Sequence, residues 1–146
     1  MTVHWCGAGL SAIPGLRRLI KNKYDVVVWN RTVDKANAAV GDITNNIRVF
    51  DKSSLQDCLE ENDIVVSMLP ADWHVPLASL AILKKAHFVS SSYIAPEMRI
   101  LDSEFKKINR VCINEVGLDP GIDHLMAHKL VSDYRQSKEY NTENEL

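Results

Sequence analysis

Six short apolar runs alternate with six longer segments of helical period, and no other feature of this chain narrows its possible folds so far. The runs lie at residues 3–6, 25–30, 47–51, 63–69, 87–91 and 110–114. Several are apolar without interruption, as in Val26-Val27-Val28-Trp29 and Ile64-Val65-Val66, the pattern of strands covered on both faces. Segments near residues 11–22, 33–40, 53–62, 74–85, 97–108 and 121–136 carry apolar residues at helical spacing. Strand then helix, repeated six times, implies right-handed crossovers and a doubly wound parallel sheet. Ser53-Ser54 before Leu55, and Asp34 before an alanine-rich stretch, are the expected N-terminal caps. Pro76 falls where a first helical turn accepts it. Residues 137–146 are polar and expected to fray.

At 146 residues the chain has room for one such domain. Its 17 Lys+Arg against 19 Asp+Glu give a net charge of -2. The basic doublets Arg17-Arg18, Lys84-Lys85 and Lys106-Lys107 are scattered, not striped. Neither nucleic acid nor an anionic membrane is therefore expected as a partner. No stretch approaches the roughly 18 apolar residues of a membrane span, and no leader with a basic start and apolar centre is visible. Cys6, Cys58 and Cys112 are odd in number and lack a C-x-x-C pair. Free thiols and a cytoplasmic setting are expected, without a disulfide or cysteine–zinc site.

The first run leads into Gly7-Ala8-Gly9-Leu10-Ser11-Ala12, a G-x-G-x-x-A pattern that opens a helix. Gly7 suits a tight turn, Gly9 lets backbone approach a pyrophosphate, and Ala12 keeps helix and sheet close. The expected fold class is thus α/β: a doubly wound, mostly parallel six-stranded Rossmann sheet with helices on both faces. The second run ends at Asn30, where NAD binders carry an acidic residue for the ribose 2′-OH. Here Asn30-Arg31-Thr32, followed by Lys35, offers a guanidinium and a hydroxyl to a 2′-phosphate. NADP(H) is expected as the preferred cofactor, with NAD(H) left open. Asp51 closes the third run, either beside the adenine or as a helix cap.

In an open α/β sheet ligands bind beyond the carboxyl ends of the strands. The fourth run delivers Ser67-Met68-Leu69-Pro70-Ala71 there, the fifth Ser90-Ser91-Ser92-Tyr93, and the sixth Asn114-Glu115-Val116-Gly117. The last continues as Gly117-Leu118-Asp119-Pro120-Gly121-Ile122-Asp123-His124-Leu125-Met126-Ala127. That segment resembles the signature of the glutamate-forming saccharopine dehydrogenases, or saccharopine reductases. Leu69-Pro70-Ala71-Asp72-Trp73-His74 and Ser91-Ser92-Tyr93-Ile94-Ala95-Pro96-Glu97-Met98 support the resemblance. It runs through the chain to about Ala127, in a superfamily that includes carboxynorspermidine dehydrogenase and homospermidine synthase.

The resemblance implies an oxidoreductase of lysine metabolism that transfers hydride at a C–N bond. Saccharopine would be interconverted with glutamate and aminoadipate semialdehyde. Gly7, Gly9, Leu10, Ser11 and Ala12 would hold the pyrophosphate, and Asn30, Arg31 and Thr32 the adenosine ribose. Leu69 and Pro70 would lie along the nicotinamide; Ser92, Tyr93, Asp119 and Pro120 would face nicotinamide and substrate. Asp119 would stabilise an iminium or orient a water, or else cap the following helix. Tyr93 would donate to a substrate carboxylate or pack on the loop, and Glu115 would act near the site or pair with a surface Lys. Family members add a second domain with most substrate contacts and the dimer interface, so a homo-oligomer is implied for the intact protein.

Residues 1–136 are then the NAD(P)-binding Rossmann domain and 137–146 a polar tail, with the substrate domain absent from this chain. By that reading the chain alone is catalytically incomplete. The alternative is a free-standing nucleotide-binding sensor without turnover. His124 and His128 share a helix face, but Leu125 stands where a metalloprotease glutamate would and nothing completes a ligand set, so no metal is expected. His74 is expected to cap or pack, and His4 to be structural.

Overall fold

A computed structural model describes residues 1–144. β1 (Val3–Cys6), β2 (Val26–Asn30), β3 (Ile47–Val49), β4 (Ile64–Ser67), β5 (His87–Ser90) and β6 (Cys112–Ile113) form one sheet in the order β3-β2-β1-β4-β5-β6. Every pairing is parallel. Sequential order reverses between β1 and β4, which is the switch point of a doubly wound sheet.

Alternation along the strands sends side chains to two separate cores. On one face Val3, Trp5, Val26, Val28 and Val66 meet Leu16 of α1 (Ile13–Lys21) and Ala36, Ala39 and Val40 of α2 (Val33–Val40). On the other, Cys6, Val27, Trp29, Val65 and Phe88 meet four helices. These are α3 (Lys52–Cys58), α4 (His74–Leu83), α5 (Pro96–Ile100) and α6 (Asp102–Lys107). Leu16, Leu55 and Leu77 are fully buried, each contributing about 1.5–3 kcal/mol. Burial pushes the Cys6 thiol pKa up, so it packs as a small apolar group.

His4 is structural, as expected. The Trp29 indole Nε1 donates to its Nδ1 at 3.1 Å, so Nε2 carries the hydrogen toward Asp63 Oδ2 at 3.2 Å. Burial lowers its pKa against the opposing pull of Asp63. Asp63 also accepts from Thr2 N at 2.7 Å and Glu60 N at 3.0 Å. Burial alone would raise the carboxyl pKa; those donors and His4 outweigh it and hold it below the usual value.

Several expectations are corrected. β1 keeps its expected bounds and β2 loses only Asp25, while β3, β4, β5 and β6 end before their apolar runs do, the last residues of those runs belonging to the loops at the sheet edge. The cap of α3 is Asp51, not Ser53 or Ser54: its carboxylate accepts from Ser54 N, and Ser53 and Ser54 are already helical. Thr32 precedes α2 and Asp34 lies inside its first turn, without a side-chain cap. A 3-10 turn, Ala71–Trp73, leads into α4. The single helix expected at 97–108 is two short ones meeting at Leu101. α7 (Ile122–Gln136) buries none of its residues. The sixth strand–helix round therefore does not cover the sheet, and among the described residues β5 and β6 have no helix of their own on the α1 face. The tail is not simply frayed: Tyr134 and Tyr140 meet edge-on at 5.5 Å, and Asn141 N donates to Tyr134 Oη at 3.1 Å. Glu145 and Leu146 lie outside the described residues.

Candidate functional site

The carboxyl ends of β1, β2 and β4 enclose a cavity of about 530 Å³. Gly7 forms its floor with φ +104°, and a Cβ there would lie 2.7 Å from the Met68 carbonyl oxygen. Only glycine meets both conditions. The turn is pinned from two sides: Gly7 N donates to Trp29 O at 2.8 Å, and the Trp5 indole donates to Gly7 O at 2.9 Å. Nothing lies within 4 Å of a Cβ built on Gly9, so its open side is where a ligand's backbone-hugging group fits. Ala12 is buried beneath the start of α1, and a Cβ built on Gly15 would lie 3.7 Å from the Trp5 ring. Leu10 and Ser11 are exposed at the rim.

Asn30, Arg31, Thr32 and Lys35 form the wall after β2; Phe50, Asp51 and Lys52 follow β3. The Asn30 amide is committed to the loop, accepting from Ala8 N at 3.1 Å and donating to Thr32 O at 2.7 Å. Among the described residues no carboxylate pairs with Arg31, Lys35 or Lys52. Asp51, the one carboxylate lining this cavity, accepts from both the backbone N and the hydroxyl of Ser54, at 2.8 and 2.9 Å. The bonds from Ser54 hold it below its ordinary pKa. The opposite wall is Met68, Leu69, Pro70 and Trp73, with Phe50 and Trp73 edge to face at 5.0 Å. The cavity is thus cationic beyond β2 and apolar along β4, a match for an anion joined to flat rings.

Beyond β5 and β6 a second cluster of polar groups meets. Tyr93 Oη donates to Asp119 Oδ1 at 2.6 Å, which pushes the phenol pKa up. Asp119 therefore does not cap α7; Gly121 precedes that helix, and its N–H donates to Asp123 Oδ1 at 2.8 Å. Asp119 and Pro120, joined by a cis peptide, form a turn closed by Gly117 N donating to Pro120 O at 3.1 Å. Glu115 does not pair with a lysine; its carboxylate accepts from Ile94 N at 3.0 Å. Ser90 Oγ donates to Asn114 Oδ1 at 2.8 Å. His74 neither caps α4 nor simply packs. Its Nδ1 is 2.9 Å from Ser67 Oγ and its Nε2 2.7 Å from Ser92 Oγ, and burial lowers its pKa.

The glycine loop, Asn30, Arg31, Thr32, Asp51, Leu69 and Pro70 therefore surround one cavity. Ser92, Tyr93, Asp119 and Pro120 form the neighbouring cluster. Ser11, Ala12 and Asp119 also border an apolar groove of about 530 Å³ on the α1 face, with Trp5, Val66, Val89 and Leu118. Sequence reasoning did not assign Phe50, Lys52, Met68 and Trp73 to the cavity wall, although it brought Met68 to the same sheet edge, and it missed the anchor from Trp5. Adjacency to Asp51 and Leu69 was the available signal for the first three; nothing local marks Trp5. His124 Nδ1 lies 3.0 Å from Asp123 Oδ1. Among the described residues no three His, Cys, Asp or Glu side chains gather to hold a metal ion. Among them, too, no helix is long and apolar enough to cross a membrane.

Comparison with known proteins matches residues 3–113 to the family model described as the saccharopine dehydrogenase NADP binding domain. Over 135 residues the chain is 37% identical to the saccharopine dehydrogenase [NADP(+), L-glutamate-forming] of Saccharomyces cerevisiae, covering 90% of this chain and 30% of that protein. Its counterpart in Schizosaccharomyces pombe is 33% identical over 136 residues, with the same two coverages. Among solved structures, apo saccharopine dehydrogenase (L-Glu forming) from Saccharomyces cerevisiae superposes with a TM-score of 0.77 at 35% identity. That match covers 92% of this chain and 31% of the other.

Proposed function

Since the chain belongs to the saccharopine dehydrogenase NADP-binding family, we propose that its cleft holds NADP(H) for hydride transfer at a C–N bond of an amino-acid substrate. The carrying observation is the cavity at the switch point, open at Gly9 and lined beyond β2 by Arg31, Thr32 and Lys35 instead of a free carboxylate. Gly7, Gly9, Leu10, Ser11 and Ala12 hold the pyrophosphate against the N-terminus of α1. Arg31 and Thr32 take the 2′-phosphate, with Asn30 keeping their loop in register. Asp51 borders the adenosine half, Leu69 and Pro70 flank the nicotinamide, and Ser92 and Pro120 close its far end. NADP(H) is preferred to NAD(H).

For the intact protein the reading is the glutamate-forming reaction. Saccharopine, NADP+ and water become glutamate, aminoadipate semialdehyde, NADPH and a proton. The cofactor, when bound, accepts or supplies the hydride at its nicotinamide ring. This chain's part is alignment and proton control. Tyr93 and Asp119 are the catalytic pair: the phenol gives its one hydrogen to the carboxylate and so turns an acceptor oxygen toward the substrate, while Asp119 sets a carboxyl group beside a developing iminium.

The chain spans 30% of the length of the two fungal relatives. We assign residues 1–136 to the cofactor domain and 137–146 to a tail, with the substrate-contacting domain outside these 146 residues. A homo-oligomer and a cytoplasmic setting belong to the same proposal. No observation favours a free-standing sensor without turnover.

The test is a fluorescence titration with NADPH and NADH. Arg31→Ala should weaken NADPH by about tenfold to a hundredfold, the range of one charged hydrogen-bond contact, and leave NADH nearly unchanged. An equal loss for both cofactors would sink the assignment of the 2′-phosphate.

A further inference from the structure

β4 and β5 run side by side with Ser67 opposite Ser90, so the loops that leave them start together and then diverge. The β4 loop carries Met68, Leu69, Pro70 and Trp73 into the cofactor cavity. The β5 loop carries Ser92 and Tyr93 toward Asp119. His74, the first residue of α4, is buried between them and bonded to a serine on each side. Its two bonds are not equivalent. Ser67 is fully buried, and among the described residues the imidazole is the hydrogen-bond partner of its hydroxyl. A buried O–H without an acceptor is costly, and Nδ1 is the acceptor within reach, which assigns the Ser67 hydrogen to Nδ1. The neutral ring then has its hydrogen on Nε2 and donates it to Ser92 Oγ. The Ser92 oxygen is thereby occupied on its inner side, which turns its own hydrogen outward.

We propose that His74 is a positioning residue that fixes Ser92 as a hydrogen-bond donor to the nicotinamide end of the cofactor, whose carboxamide oxygen is the acceptor. The inference rests on the cofactor reading given above. It assigns to a residue outside the cavity lining the task of joining the β4 wall to the cluster beyond β5. It also gives Ser92 a fixed polarity: Ser92 donates to an oxygen, and a ligand presenting only a donor there finds no partner.

The test uses the full chain in two arms. In the first, 15N spectra of the free protein report the His74 ring. The Nε2–H form is expected, with Ser67→Ala shifting the Nδ1 signal and Ser92→Ala the Nε2 signal. An Nδ1–H ring, or a ring indifferent to both changes, would overturn the proposal. In the second, NADPH is compared with 2′,5′-ADP, which lacks the nicotinamide. His74→Gln places an amide nitrogen near the Nε2 position and should keep NADPH affinity within about threefold. His74→Asn reaches only the Nδ1 position and should lose about tenfold, as should Ser92→Ala, the scale of one hydrogen bond at a partly buried site. All three should bind 2′,5′-ADP within about twofold of the parent, which also certifies their fold. Wild-type NADPH affinity in both His74→Asn and Ser92→Ala defeats the proposal. Failure of the parent chain to bind either probe, with the expected ring signals present, defeats the cofactor reading and takes this inference with it.

Discussion

At the scale of single residues the two loop glycines separate folding from binding. Gly7 has both a left-handed φ and a carbonyl in the space of a Cβ; Gly9 has neither obstacle. Gly7→Ala should therefore destabilise the fold by about 1–3 kcal/mol, read as a lower denaturation midpoint. Gly9→Ala should unfold at the parent midpoint yet bind NADPH at least tenfold more weakly, because its methyl occupies the open side of the loop. Equal stability of the two variants would contradict the geometry. The reason to expect glycine at both positions was legible from spacing alone, but the distinction was not. It depends on Met68, which the parallel pairing of β1 with β4 brings up from 61 residues away. His74 illustrates the same limit. Its partners stand 7 and 18 residues off in the chain, and no local pattern joins them.

At the scale of elements, the β1–β4 contact is tied by His4 and Asp63 at the amino edge of the sheet, and the β4–β5 contact by His74 at the carboxyl edge. Burial holds both histidines below their ordinary value of 6.5. The unfolded chain takes up those protons first as pH falls, so the stability these groups contribute is complete above about 6.5 and is lost below it. Asp63, held below its ordinary 3.8, contributes fully above that pH and loses its contribution as pH falls below it. The thermal midpoint should fall between about pH 7 and 5, and less steeply in His4→Gln than in the parent; identical slopes would refute the assignment. Uninterrupted apolar runs made the strands legible, since only strands covered on both faces tolerate them. Helix bounds were less so. Leu101 is no helix breaker, yet the chain breaks there, and Asp51 outcompetes the serines beyond it as a cap because it alone precedes the first helical residue. Periodicity flagged α7 without revealing that none of its residues is buried, because an apolar stripe does not name its partner.

For the whole molecule, α7 is the outlier. Leu125, Met126 and Leu130 are 71%, 65% and 72% exposed, an apolar stripe of the kind that drives association. Light scattering at rising concentration should show self-association, reduced by Leu125→Gln with Leu130→Gln; a clean monomer throughout would count against it. The sheet itself is asymmetric. Its β3-β2-β1 half lies between α1 and α2 on one side and the second core on the other, while β5 and β6 are sealed by helices on one side only. Opening of the sheet should therefore start at β6 and spread inward. Amide hydrogens of Phe88 and Val89 should exchange with solvent deuterium well before those of Trp5 and Val28. The strands that cradle the glycine loop would then outlast, in every partial opening, the strands that carry the reactive cluster.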